Sequence, residues 1–256
     1  MDLKLKGKRV VVLGGTRGIG RAIAETFARE GANIAICARN KDQVDAAVTE
    51  LGKGGVLATG AAVDMAKPME LKSWVAEVAK QFSGIDILVS NASALVMGAN
   101  AEAWQQLLNV DILGAAAAFE AARPHLEKSA AESGDAAFVM ISSVSAAETQ
   151  NAQAYGAIKA AMIHYGKGLA KECARKKIRV NVVSPGTIYF KGGTWNTIEQ
   201  NAPQMFDATI KRNPLGRMGT PQEIADMTVF LCSPVSSFTT GANVIVDGAI
   251  TSRVNY

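Results

Sequence analysis

Apolar runs of strand length alternate with longer amphipathic stretches along most of the chain. The alternation predicts strands at 9–15, 33–38, 56–64, 85–91, 136–143, 178–186 and 243–248. Helical spacing predicts helices at 19–30, from 41, 68–82, 102–127, 153–175 and from 221. Because the strands are apolar on both faces, they need cover on both sides. The pattern therefore predicts an α/β fold with one doubly wound parallel sheet, mainly seven-stranded, and helices on both faces.

The chain of 256 residues contains no Pro/Ser-rich linker and no internal repeat, which predicts a single domain over 1–256. One long segment, 187–213, fits neither period and is predicted to be irregular. Loops of that length are usually functional, so we expect it to form a lid over the substrate side of the site.

Charge and cysteine content exclude several function classes. The net charge of +4 is spread along the chain without a basic block interleaved with aromatics, so no nucleic-acid partner is predicted. Three isolated cysteines and two histidines give no metal-ligand spacing, so no metal is predicted, and free thiols are typical of a reducing cytoplasm. No apolar run reaches membrane length, so no membrane partner is expected.

A glycine-rich turn follows the first predicted strand and opens the first helix. In GGTRGIG (14–20), Gly14, Gly18 and Gly20 allow the backbone to approach a diphosphate, and the helix N-terminus supplies free N–H groups. An ordinary tight turn is the alternative, but the place between a buried strand and a helix favours a dinucleotide site.

The end of the second strand indicates which dinucleotide binds. An NAD site usually has a carboxylate there, whereas this chain has Cys37-Ala38-Arg39. Arg39 and, from the glycine turn, Arg17 suit a 2′-phosphate, although two solvated surface arginines are the alternative. The sequence favours NADP(H) over NAD(H).

A tyrosine and a lysine four residues apart, Tyr155 and Lys159, lie on one face of a predicted helix. A neighbouring ammonium favours the phenolate and would lower the pKa of the tyrosine, which suits acid–base chemistry, although such a pair is often only a surface contact. The fifth strand ends in ISSVS (141–145), which places hydroxyls at the edge of the sheet where such folds bind ligands.

Taken together, these motifs resemble those of the short-chain dehydrogenases/reductases over almost the whole chain. The matching segments are 14–20, Asp64, SNAS (90–93), NVDILG (109–114), ISS (141–143), YGAIK (155–159), SPG (184–186), NPLGRMGTPQEIA and TGANVIVDG. The last two look most like the branch with 3-oxoacyl-carrier-protein reductases and bacterial ketone or alcohol dehydrogenases. The resemblance implies a Rossmann-like domain, an NADP(H)-dependent oxidoreductase and a homo-oligomer, commonly a tetramer formed through the helices at 102–127 and 153–175.

The resemblance also implies a role for each matched residue. Tyr155 would exchange the proton of the substrate oxygen, Ser143 would stabilise that oxygen, and Lys159 would lower the tyrosine pKa and bind the nicotinamide ribose. Asn109 would position the lysine through water. The implied cofactor-binding set is Gly14, Thr16, Arg17, Gly18, Ile19, Gly20, Arg39, Asp64, Met65, Asn91, Ala92, Ser93, Tyr155, Lys159, Pro185, Gly186 and Ile188.

The chain departs from the family pattern at positions that leave alternatives open. Ser142 has the common separation from Tyr155, but the ISS-V pattern favours Ser143 as the catalytic serine. Phe190 replaces a threonine that usually follows Pro-Gly, which removes one expected hydroxyl contact to the diphosphate.

The substrate class is left open by the sequence. Apolar side chains could line the pocket or simply pack the lid down: Met97, Trp195, Met205 and Phe206. The expected substrate is a small, apolar carbonyl compound or secondary alcohol. The alternatives are a 3-oxoacyl-carrier-protein substrate and a non-catalytic, dinucleotide-binding regulatory protein.

Overall fold

A computed structural model describes residues 1–149 and 151–254 and shows one seven-stranded, fully parallel sheet. The strand order is β3-β2-β1-β4-β5-β6-β7. The strands are β1 (Arg9–Leu13), β2 (Asn33–Ala38), β3 (Ala58–Ala62), β4 (Ile87–Ser90), β5 (Ala136–Ile141), β6 (Ile178–Pro185) and β7 (Asn243–Val246). The predicted fold class is confirmed.

Nine α-helices occur in the described ranges. They are α1 (Gly18–Arg29), α2 (Lys41–Gly52), α3 (Pro68–Gln81), α4 (Ala101–Leu107), α5 (Ala115–Ser133), α6 (Ala154–Cys173), α7 (Thr194–Asn201), α8 (Pro203–Arg212) and α9 (Pro221–Cys232). None of these helices is long and apolar enough to cross a membrane.

Two apolar cores lie on opposite faces of the sheet. Alternate residues of one strand enter different cores because side chains alternate across a strand: Val11 and Leu13 pack towards α3, α5 and α6, whereas Val10 and Val12 pack towards α1, α2 and α9. Strands buried on both faces explain the unbroken apolar runs of the sequence.

The strand order reverses between β1 and β4. From β1 the chain moves outward to β2 and β3, then returns to β4 on the other side of β1. In open α/β sheets, ligands bind in the crevice beyond the carboxyl ends of the strands at such a switch point. The fold therefore predicts a ligand site between the loops after β1 and β4.

Two predicted segments differ from the structure. The helix predicted at 102–127 is α4, a π-helical segment (Leu108–Gly114) and α5, which continues to Ser133. The prediction of an irregular 187–213 segment is wrong in part, because it contains α7 and α8. Neither helix is anchored by a large buried face: α7 has no fully buried residue and α8 has only Thr209.

Candidate active site at the carboxyl edge of the sheet

The glycine turn after β1 is fixed to the neighbouring strand and loop. The N–H groups of Gly14 and Gly15 donate to the Cys37 carbonyl at the end of β2, at 2.9 and 3.3 Å. The Asn91 amide, from the loop after β4, donates to the Gly14 carbonyl at 2.9 Å. A Cβ at Gly20 would overlap both that carbonyl and the Asn91 amide, so only glycine fits where the turn enters α1.

The N-terminus of α1 is arranged as an anion site. Arg17 is the N-cap residue in extended conformation, and its side chain does not cap the helix, so the first N–H groups are free for a ligand. Arg17 and, after β2, Arg39 are exposed, and neither forms an ion pair with another described residue. Thr16 and Ile19 are half-buried in the same turn.

The loops after β3 and β4 complete this side of the crevice. Asp64 is half-buried and its carboxylate accepts from the Ala66 N–H at 3.0 Å, while Met65 is buried. Ala92 donates its N–H to the Leu13 carbonyl at 2.9 Å, and the Ser93 hydroxyl accepts from the Leu95 N–H at 3.2 Å. The loops are thus held against the glycine turn by backbone bonds, which leaves most side chains available.

Two buried hydroxyls at this edge have no hydrogen-bond partner within residues 1–149 and 151–254. They are Ser90 Oγ, at the end of β4, and Thr187 Oγ1, just after β6. Buried polar groups are normally satisfied. Together with the glycine turn and the uncapped helix, these two hydroxyls fit a dinucleotide lying across the crevice.

Helix α6 is fastened to the end of β5 at Lys159. The Ser142 hydroxyl donates to the Lys159 carbonyl at 2.9 Å, and Lys159 Nζ donates to the Ile141 carbonyl at 3.1 Å. Near the helix start, a Cβ at Gly156 would lie 2.5 Å from the Ser145 carbonyl oxygen, so the helix and the turn after β5 touch closely. These contacts bring the 141–145 serines and the Tyr155–Lys159 pair to one place.

The two serines have different surroundings. Ser142 is buried and its hydroxyl is engaged with α6. Ser143 is half-buried, and its Oγ accepts the Ser145 N–H at 3.1 Å, which leaves the hydroxyl proton free to donate. Tyr155 is half-buried in the first turn of α6, with Lys159 Nζ 5.6 Å from its ring centre. The structure therefore brings Ser143, Tyr155 and Lys159 to the same edge.

Asn109, which the resemblance implies would position the lysine through water, has its side chain bonded to a neighbouring helix. It lies in the π-helical segment, and its side-chain oxygen accepts from Gln105 on α4 at 2.8 Å. The carboxylate beside Lys159 belongs to Asp111, whose Oδ1 is 2.9 Å from Nζ. Sequence reasoning missed Asp111, although an acid inside the apolar run NVDILG was a signal that it needs a buried partner.

The chain after β6 returns across the glycine turn. Pro185 is buried and Gly186 is half-buried. Ile188 forms a parallel bridge with Gly219 that uses the Thr187 carbonyl and the Tyr189 N–H. Because backbone groups alternate in an extended chain, the N–H of Ile188 faces the opposite side from this bridge.

The ring of Phe190 packs on the glycine turn. A Cβ at Gly18 would lie 2.5 Å from Phe190 Cζ, and one at Gly193 would lie 2.8 Å from the same atom. The aromatic ring is therefore held between two glycines, one on the turn and one on the lid segment. No sequence pattern indicated this contact, which depends on the tertiary path of the lid.

The lid contains a small polar network. Tyr189 Oη donates to Glu199 at 2.5 Å and accepts from Asn196 at 3.1 Å, and the bond to Glu199 raises the pKa of Tyr189. The Phe206 ring packs edge-on against Tyr189 at 5.8 Å. Phe206 thus packs the lid internally and Trp195 is half-buried, whereas Met97 and Met205 are exposed.

Comparison with known proteins identifies the family. Residues 14–251 match a family model described as enoyl-(acyl carrier protein) reductase. Isoepoxydon dehydrogenase of Penicillium expansum is 36% identical over 251 residues, covering 96% of this chain and 95% of that protein. Human dehydrogenase/reductase SDR family member 4 is 32% identical over 256 residues, covering 98% and 90%. The chain belongs to the short-chain dehydrogenase/reductase family.

A solved structure of this family gives the same picture. L-sorbose reductase from Gluconobacter frateurii, complexed with NADPH and L-sorbose, superposes with a TM-score of 0.90 at 31% identity. The match covers 99% of this chain and 100% of that one. The family predicted from the motifs is confirmed, and the chain is an oxidoreductase of the short-chain dehydrogenase/reductase type.

Proposed function

We propose that this protein is an NADP(H)-dependent oxidoreductase that transfers a hydride between nicotinamide C4 and the carbonyl or secondary alcohol carbon of a small substrate. The observation that carries the proposal is the meeting, at one sheet edge, of an uncapped helix N-terminus with Ser143, Tyr155 and Lys159. A phosphate-binding end and a proton-transferring end in the same crevice are the two halves that this reaction needs.

The residues suited to hold the cofactor form a continuous line. The glycine turn would take the diphosphate and Asp64 the adenine end, while Asn91, Ala92 and the Ile188 N–H would line the nicotinamide end. Arg17 and Arg39, without ion-pair partners in the described ranges, would pair with the 2′-phosphate. The NADPH complex of L-sorbose reductase supports this choice of dinucleotide.

The chain's own residues would manage the proton and the charge. When bound, the nicotinamide supplies or accepts the hydride. Tyr155 would donate its proton to the carbonyl oxygen during reduction and take it back during alcohol oxidation. The free Ser143 hydroxyl proton would donate to the same oxygen and stabilise its developing negative charge. Lys159 would favour the phenolate and bind the ribose.

Two features bear on the substrate. The polar group formed by Tyr189, Asn196 and Glu199 on the lid would suit a substrate with hydroxyl groups, and L-sorbose and isoepoxydon are the compounds named for two relatives. The family model's description favours a second candidate, a thioester on an acyl carrier protein. Cytoplasmic location remains a prediction from the isolated cysteines and the lack of a long apolar run. A homotetramer formed through the helices predicted at 102–127 and 153–175 remains a prediction from the family resemblance.

The test is oxidation of NADPH and NADH over a panel of carbonyl compounds, with wild type beside Tyr155→Phe. The panel contains ketoses, hydroxylated and plain cyclic ketones, aryl ketones, diketones and β-ketoacyl thioesters. We expect turnover with NADPH to fall by about 10²–10⁴-fold in Tyr155→Phe, because the general acid is lost. The matched control is Tyr165→Phe, on the same helix and outside the site, which should keep wild-type turnover.

The outcomes of this panel distinguish the assigned acid, the regulatory alternative and the carrier-protein candidate. Turnover by Tyr155→Phe equal to wild type would refute the assigned acid. Tight NADPH binding without turnover on any carbonyl, or on the corresponding alcohols with NADP⁺, would favour the regulatory alternative. Preference for β-ketoacyl thioesters would select the carrier-protein candidate.

A further inference from the structure

The proposed mechanism gives no role to the buried carboxylate beside Lys159. Asp111 is fully buried in the π-helical segment, and Lys159 is only 2% exposed. Their side chains are 2.9 Å apart, from Oδ1 to Nζ, and the other carboxylate oxygen, Oδ2, accepts the Ala94 N–H at 3.0 Å. Asp111 therefore joins the π-helical segment to α6 and to the loop after β4.

Asp111 lies on the inward face of this part of the chain. Ala103, Leu107, Asp111 and Gly114 follow one another at intervals of four, four and three residues, and all four are buried. A carboxylate is costly to bury without a partner, so the acid depends on a buried cation. Lys159 supplies that cation, and a buried pair kept beside the proposed acid–base group points to a function for the carboxylate.

We infer that Asp111 is a positioning residue that holds the Lys159 ammonium and moderates its electric field at Tyr155. The inference rests on the proposed role of Tyr155 as the acid–base group. A carboxylate 2.9 Å from Nζ cancels part of the positive potential that Lys159 exerts at Tyr155, whose ring centre is 5.6 Å from Nζ. Burial of the pair makes this cancellation strong. The pair thus sets the electrostatic potential at Tyr155.

Other charges near the pair are engaged elsewhere or face solvent. Within the described ranges, the surrounding elements carry Asp64, bound to the Ala66 N–H, and Glu102, bound to Gln106. Lys72 pairs with Glu120, Arg123 with Glu127 and Glu172, Arg179 with Asp135, and Lys67 with Glu70. The Glu148 carboxylate accepts from the Ser252 N–H, and Lys167 Nζ donates to the Gly241 carbonyl. The remaining charged or titratable groups on these elements that face solvent are Glu77, Lys80, Lys128, Glu132, His164, Lys171, Arg175, Lys176 and Lys177.

The decisive variant is Asp111→Asn, which removes the charge but keeps the shape and the acceptor for Ala94. The Ile141 carbonyl still holds the ammonium, so its full field then reaches Tyr155. We expect the tyrosinate absorbance of Tyr155 to develop at lower pH in the variant than in wild type. The measurement is tyrosinate difference absorbance against pH, with a Tyr155→Phe partner subtracted in each background. The absorbance measurement does not need turnover, so a failure of the inference about Asp111 can be distinguished from a failure of the proposed function.

A kinetic measurement gives the second reading. The pH profile of kcat for alcohol oxidation should move to lower pH by the same amount in Asp111→Asn. The control is Asp86→Asn, which removes a buried carboxylate paired with Arg9 before β4, at the opposite end of the strands, and should lower stability without moving either midpoint. An Asp111→Asn midpoint that is unchanged, or that moves to higher pH, overturns the inference.

Discussion

The two adjacent serines after β5 perform different tasks in the structure. Ser142 is an internal tie, since its hydroxyl donates to the Lys159 carbonyl, whereas Ser143 keeps a free hydroxyl proton beside the site. A comparison of sequence separations favours Ser142, so counting residues to Tyr155 cannot decide between them. The direction of each side chain distinguishes the two serines, because consecutive residues at the end of a strand point to opposite faces.

Alanine at each serine should separate the two tasks. Ser143→Ala should reduce kcat by about 10²–10³-fold with little change in stability, because one donor to the substrate oxygen is lost. Ser142→Ala should lower the free energy of unfolding by about 1–3 kcal/mol, because the buried Lys159 carbonyl loses a donor, with a smaller effect on kcat. Steady-state kinetics and urea unfolding measure both. The opposite pattern would assign catalysis to Ser142.

Single residues also show where sequence reasoning reached its limit. The glycine turn, Tyr155 and Lys159 were found because their spacing is local. Asp111 was not, because its partner Lys159 lies on another helix, and their contact depends on tertiary packing that local spacing does not show. The role of Asn109, implied by the family resemblance, stays a prediction.

At the level of elements, the strands were predictable and the lid was not. Parallel strands buried on both faces need continuous apolar runs, which are visible in the sequence. The predicted ends of all seven strands lie within about two or three residues of the observed ends. The helices α7 and α8 are short and polar, with almost no buried face, so their sequence carries no clear period. Their formation depends on contacts such as Tyr189 with Phe206.

The lid and the glycine turn are joined through Phe190. Replacing it with alanine should raise the Kd for NADPH by about tenfold, because the ring that shields the turn from water is removed. Phe206→Ala is the matched control: it removes the other lid phenylalanine, which packs on Tyr189, and should leave the Kd close to wild type. Fluorescence titration with NADPH measures both values. Tighter binding by Phe190→Ala would mean that the ring obstructs the cofactor.

At the scale of the whole molecule, burial of thiols predicts the response to alkaline pH. Burial raises the pKa of Cys37 and of Cys232 from 9.0 to about 12. Above pH 9 the unfolded chain loses these protons while the folded protein keeps them, so the folded state binds more protons and stability falls as pH rises towards 12. Each thiol accounts for up to about 1.4 kcal/mol per pH unit in this window.

Urea unfolding at a series of pH values tests this. Cys232→Ala should be less stable than wild type at neutral pH because a buried group is removed, but its stability should fall less steeply above pH 9. Parallel curves for the variant and wild type would show that the alkaline loss comes from other groups.

The enclosure of all three cysteines has a consequence for reactivity. Cys37, Cys173 and Cys232 are buried, and all the cysteines of the chain are among them. Enones, epoxides and quinones, which alkylate accessible thiolates, therefore find no such nucleophile on the native surface. An oxidoreductase with this property can work among reactive carbonyl compounds without alkylation of its cysteines in the folded state. A cysteine introduced on the lid, for example at exposed Lys191, would then accept a single dye, and its fluorescence would report lid movement directly.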